Sequence, residues 1–121
     1  MSIIKFRPEE LASRCGEPAP VPEPLGSPLS QVRSHSITSS SSPRTRVGVW
    51  TCTPGRWRRQ VVQAEFCHFL EGHCTFTPDG GEPIEVQAGD VLYFPARSTG
   101  VWDIRSTSHK IFIVFDEGTM Q

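Results

Sequence analysis

Glu65-Phe66-Cys67-His68-Phe69-Leu70-Glu71-Gly72 is the stretch on which the reading of this chain turns. Six residues dominated by aromatic and apolar side chains, Glu65–Leu70, run into Glu71-Gly72, as a short strand ending in a turn does. Its neighbours repeat the pattern. Pro54-Gly55 precedes it and Pro78-Asp79-Gly80-Gly81 follows as a hairpin turn. Gly89-Asp90-Val91-Leu92-Tyr93-Phe94-Pro95 and Gly100-Val101-Trp102 close the region. Strands are expected over Arg46–Thr53, Arg58–Ala64, Glu65–Leu70, His73–Thr77, Pro83–Gln87, Val91–Phe94, Gly100–Arg105 and Lys110–Phe115. Ser106-Thr107-Ser108 reads as a turn between the last two. About seven to nine short strands at this spacing predict a single antiparallel β barrel or jelly roll.

Ahead of the barrel the pattern changes. Arg7–Arg14 reads as a short helix, with Pro8 in its first turn and acidic residues behind it. Pro18, Pro20, Pro22, Pro24 and Pro28 follow. Proline fixes φ and lacks an N–H, so this segment is an extended arm and neither a helix nor a central strand. It lies on its own barrel, projects from it, swaps onto a partner's, or is a disordered linker. Gln31–Thr38 has the weak alternation of an edge strand, and Ser39–Pro43 reads as a turn or loop. The expected division is an N-terminal arm over 1–45 and a barrel over 46–118.

With 121 residues the chain can build one core. Lys and Arg total 12 against 13 Asp and Glu, a net charge of −1, so nothing demands nucleic acid or an anionic membrane. No apolar run approaches the ~20 residues of a membrane span. Met1–Pro8 has no apolar core of a secretory leader. A cytoplasmic protein is expected, with Cys15, Cys52, Cys67 and Cys74 as reduced thiols.

Gly55, Glu65, Gly72, Gly89-Asp90 and Pro95 stand at the spacing of the two cupin motifs, and in these the chain resembles the cupin superfamily. More closely, Gly48–Trp57, Glu65–Gly72 and Gly89–Trp102 resemble the cupin_3 group (DUF861). That group resembles the cupin halves of (S)-ureidoglycine aminohydrolase and the ethanolamine-utilisation cupins. The resemblance covers roughly Val47 to Phe115. It implies an all-β, single-domain, RmlC-like jelly roll, and commonly a metal held by His-x-His, Glu and a further His. Here the His-x-His would fall near Arg58-Arg59-Gln60-Val61 and the later His near Gly100, and neither place has a histidine. Only Glu65 matches a ligand. One carboxylate does not hold a transition metal, so no metal and no other cofactor is expected.

Strand parity maps the pocket. If Glu65 points inward, Cys67 and Phe69 do too, while Phe66, His68 and Leu70 point out. In the preceding strand either Arg58 and Gln60 or Arg59 and Val61 face inward. Arg58 and Gln60 are favoured, as donors for a buried carboxylate. Trp102 joins them, because family geometry implies that Gly100, Trp102 and Ile104 face in. The expected ligand-binding set is Arg58, Gln60, Glu65, Cys67 and Trp102, with Tyr93 and Lys110 at its margin. Glu65 is either a functional acid, base or ligand anchor, or half of an ion pair with Arg58 that ties two strands. Trp102 is a stacking platform or a core ring. Cys67 is a nucleophile or a small buried hydrophobe.

Apolar side chains on both faces of one strand imply that both faces are covered, either by the N-terminal segment or by a second subunit, and a homodimer is expected. The favoured function is a metal-independent cupin binding an unknown small molecule, an accessory to bacterial amine or amino-acid catabolism. The alternatives are an enzyme on a nitrogenous or carboxylated metabolite with Glu65 as acid/base, and a structural subunit without a ligand.

Overall fold

The computed structural model describes residues 3–39 and 42–115. One short helix, α1 (Pro8–Ala12), precedes eight strands. These are β1 (Ala19–Pro20), β2 (Gln31–Ser39), β3 (Ser42–Cys52), β4 (Gly55–Val61), β5 (Ala64–Pro78), β6 (Ile84–Gln87), β7 (Val91–Phe94) and β8 (Ser98–Phe115). All pairings between them are antiparallel.

β5 and β8 form the spine. They pair from Ala64↔Phe115 to Pro78↔Gly100, with register shifts near Phe69, Glu71 and His73. Each half of the pair carries its own neighbours. The half built on 64–69 and 108–114 pairs with β3 on one side and β7 on the other, and β2 and β1 extend it beyond β3. The half built on 74–78 and 98–104 pairs with β4 and β6. Bending at the register shifts folds the two halves face to face as a jelly-roll sandwich.

Two expected turns are bulges inside these long strands. Glu71-Gly72 and Ser106-Thr107-Ser108 do not separate strands; they are where β5 and β8 bend together. Gly72 has φ +100°, and a Cβ there would overlap Ser108, whose Cα would lie 2.5 Å away. A glycine lets the two backbones meet closely enough for pairing to continue through the bend. By contrast, Pro78–Gly81 forms the expected hairpin turn, closed by Gly81 N–H donating to the Pro78 carbonyl at 3.0 Å.

The proline-rich arm is ordered along strand edges of its own barrel. Ala19 and Pro20 pair with Val32 and Gln31. Further on, Leu25 N–H donates to the Arg56 carbonyl and Arg58 N–H to the Glu23 carbonyl. The arm therefore covers the outer edges of β2 and β4, which would otherwise present unpaired backbone groups. Gly55 permits its approach, since a Cβ there would lie 2.5 Å from the Pro28 carbonyl oxygen. The 45/46 boundary expected from the sequence falls inside β3, and β2 is a full sheet member. The expected loop at Ser39–Pro43 falls partly on Ser40 and Ser41, outside the described residues. So do 116–118 of the expected barrel.

The core gathers on Trp102, which is fully buried. Phe76, Phe69, Phe94 and Trp50 surround it, with ring centroids 4.9, 5.9, 6.1 and 6.2 Å away. Tilted and edge-on rings at these distances are the favoured geometry for aromatic clusters. Among the described residues, no helix is long and apolar enough to cross a membrane.

Candidate functional site: a buried carboxylate between two cations

Inside the first half of the sandwich lies a charged cluster. Glu65, on β5, is almost wholly buried, as Cys67 and Phe69 on the same face are. Lys110, on β8, is 1% exposed and donates from Nζ to Glu65 Oε2 at 2.8 Å. Arg59, on β4, donates to Glu65 Oε1 at 2.6 Å. The carboxylate thus spends each oxygen on a different cation. The Lys110 ammonium also stands 4.4 Å from the centre of the Trp50 ring, a cation–π contact.

These positions follow from register. Phe69 lies opposite Lys110 in β5–β8, and Trp50 lies opposite Lys110 in β3–β8. Lys110 therefore sits between two inward aromatic side chains. Arg59 lies opposite Gly100, where a Cβ would lie 2.6 Å from the Phe76 ring, so the glycine makes room for that ring.

Burial pushes the Glu65 carboxyl towards its neutral form. The charges of Lys110 and Arg59, and their hydrogen bonds, outweigh that and hold its pKa below the ordinary 4.5. Burial raises the thiol pKa of Cys67 and Cys52, and raises that of Cys74 to about 11. Cys67 is fully buried, and a thiol shifted in that direction is a poor nucleophile.

A cavity of about 110 Å³ opens onto the cluster. Arg59, Glu65 and Lys110 form its polar floor, Trp50, Phe112 and Val114 its apolar wall, and Ser34 and Arg46 its rim. Arg46 is exposed and has no ion pair among the described residues.

Of the five residues expected to form the pocket, the structure brings only Glu65 to this cavity. Arg58 and Gln60 lie on the opposite face of β4: the inward set is Trp57, Arg59 and Val61. Arg58 pairs instead with Asp79 in the β5–β6 turn, where Thr99 Oγ1 also donates to Asp79 at 2.7 Å. The two apolar residues flanking Arg59 at i±2 fix this parity, because both must be buried. Cys67 is buried behind Glu65, and Trp102 is enclosed by protein rings. Tyr93 is 57% exposed on the outer face. Lys110, expected at the margin, is at the centre.

The cluster does not fit a divalent metal. A metal would have to displace two cations from one carboxylate, and no three His, Cys, Asp or Glu side chains among the described residues are grouped to hold one.

Residues 40–112 match the family described as EutQ-like cupin domain, Cupin_3. The chain belongs to this family. Among solved structures, it is similar to an ethanolamine utilization protein Q from Salmonella typhimurium. That likeness has a TM-score of 0.61 and 17% identity, covering 70% of this chain and 69% of that one. The EutQ protein of Clostridium difficile gives a TM-score of 0.64 at 16% identity, over 77% and 75% of the two chains. A DUF861-family protein of unknown function from Pseudomonas syringae gives 0.69 at 26% identity. It covers 83% of this chain but 43% of that one, so this chain spans less than half of that relative. A comparison with curated proteins finds no match. The fold is a cupin jelly roll, as the sequence motifs implied.

Proposed function

We propose that this EutQ-like cupin binds a small molecule without a metal, in the cavity above Glu65, Lys110 and Arg59. One observation carries the reading. The Lys110 ammonium is buried in a cavity floor with three N–H donors and, among the described residues, one hydrogen-bond acceptor. A purely structural ion pair is normally satisfied on all sides. A bound polar group would supply the missing acceptors.

The alternative in which Glu65 serves as general acid or base is less well supported. A carboxyl held ionised by two cations has no proton to give and little basicity to use. The EutQ-like description of its family is what suggests a place in amine catabolism. We place the protein in the cytoplasm, where its buried free thiols would persist.

The binding reading is tested by thermal unfolding of the whole protein with a panel of small carboxylates, amines and alcohols. A ligand that binds only the folded state raises the midpoint, by about 2.7 kcal/mol of stability at a hundredfold excess over Kd. No shift from any compound would count against binding.

A homodimer is proposed through the outer face of the first half-sandwich. Val47, Ile113, Phe66 and Tyr93 form one cross-strand row there, and Val49, Ile111, His68 and Val91 the next. α1 packs over β2 and β3 and buries Leu11, whereas Phe66, Val91 and Tyr93 stay 39%, 51% and 57% exposed. Neither row carries an acidic side chain, Lys or Arg, which suits an isologous contact with a second copy. Phe66→Glu should halve the mass in solution. A wild-type protein of monomer mass would remove the proposal.

A further inference from the structure

Resting on the binding reading above, we infer that the cavity selects a short monocarboxylate, its carboxylate on Lys110, Arg59 and Arg46 and its apolar end on Trp50.

Charge comes first. The buried Lys110 and the partly buried Arg59 face one carboxylate, leaving a net positive charge at the cavity floor. Burying an unpaired charge is costly, and a monoanion entering the cavity would neutralise it. Arg46 adds a second positive charge at the rim. An ammonium ligand would meet three cations and a carboxylate whose oxygens are both already engaged.

Hydrogen bonding gives the same sign. Lysine and arginine donate and do not accept. Among the described residues, Lys110 has two N–H bonds left after Glu65, and Arg59 has one side-chain hydrogen bond to set against five donors. The ligand must therefore bring acceptors, and a carboxylate brings two oxygens in the plane that a guanidinium matches.

Size and shape set the rest. About 110 Å³ is roughly the share of three or four waters at ~30 Å³ each. That accommodates a carboxylate with a short alkyl chain. Trp50, Phe112 and Val114 on the wall offer the chain an apolar surface rather than further donors.

Four probes of similar size separate the possibilities: propionate, propylammonium, 1-propanol and inorganic phosphate. Each is titrated into the whole protein by calorimetry, with the Trp50 indole N–H followed by NMR. Propionate should bind about tenfold tighter than 1-propanol and shift the Trp50 signal, and propylammonium should not bind. Arg46→Gln, at an exposed site, should fold normally and weaken propionate about threefold, and added salt should do the same. Lys110→Met should abolish binding if it folds; the Arg46 variant and the salt dependence carry the test if it does not. Tighter binding of 1-propanol or propylammonium overturns the carboxylate assignment and leaves small-molecule binding standing. Phosphate tighter than propionate overturns the carboxylate in favour of an inorganic anion. Binding of none of the four overturns both readings.

Discussion

Two glutamates in this chain are each held by two basic side chains, one inside the sandwich and one on its surface. Glu85, on β6, accepts from Arg105 at 2.9 and 3.1 Å and from Thr75 at 2.9 Å, and lies 2.9 Å from His73 Nε2. Hydrogen bonds from Arg105, His73 and Thr75 bring its pKa to about 2. Counted by hydrogen bonds, Glu85 is the better satisfied of the two. Its side chain is nevertheless 61% exposed, against 4% for Glu65. Water already solvates Glu85 when its partners are removed, and salt screens the attraction. Nothing but protein faces Glu65 and Lys110, apart from the cavity. The comparison teaches that the count of ion pairs says little and their surroundings decide what they do. The surface network steadies a strand pair. The buried one holds a charge at the floor of a cavity.

The sharpest way to break the comparison is to remove each carboxylate. Glu65→Ala strands Lys110 in the interior and should cost about 3–5 kcal/mol in urea unfolding. Replacing both partners, Glu65→Leu with Lys110→Met, should recover much of that loss, because no buried charge is then left facing an empty place except Arg59, which can reach solvent. If the double variant is no more stable than Glu65→Ala, the charge argument is wrong and packing explains the loss.

A smaller effect is expected from Lys110→Met alone, about 1–3 kcal/mol, since Arg59 still holds Glu65. Its signature lies in pH. Glu65 has a folded-state pKa below its unfolded one, so its contribution is fully present above about pH 4.5 and disappears as pH falls through the lower folded value. Without Lys110 the folded pKa rises and burial is opposed by one cation fewer. The acid loss of stability should then begin at higher pH than in wild type. An unchanged acid limb would show that Lys110 does not hold Glu65 ionised.

The smallest effect should come from Glu85→Gln, which should leave the urea midpoint at moderate salt inseparable from that of wild type. A loss as large as that of Glu65→Ala would erase the distinction between the two regions.

Much of this was legible in the sequence, and its omissions have physical causes. The strand grammar around Glu65–Gly72 and Gly89–Pro95 indicated the jelly roll, because glycine and proline punctuate strands whatever the ligand. Parity placed Glu65, Cys67 and Phe69 inside correctly. Arg59 was set second to Arg58 because donor chemistry was weighed above the apolar flanks Trp57 and Val61, which fix the inward face of β4. Lys110 was placed at the margin instead of the centre because Ser106-Thr107-Ser108 looked like a turn. Read as one strand, Trp102, Ile104, Ser108 and Lys110 share a parity and all face inward. A polar triplet inside an 18-residue strand breaks no rule of pairing when a glycine on the partner makes room for it. Trp50 shares its strand face with Cys52 and needed only the β3–β8 register, which local sequence does not encode.

The central claim is that Glu65 is an ionised carboxylate between Lys110 and Arg59 inside the barrel. A carbon-13 NMR titration of the Glu65 side-chain carboxyl, assigned with Glu65→Gln, tests it most directly. The account expects a midpoint below 4.5 in the folded protein. A midpoint at or above 4.5 would mean that burial, rather than the two cations, governs this site, and would contradict it.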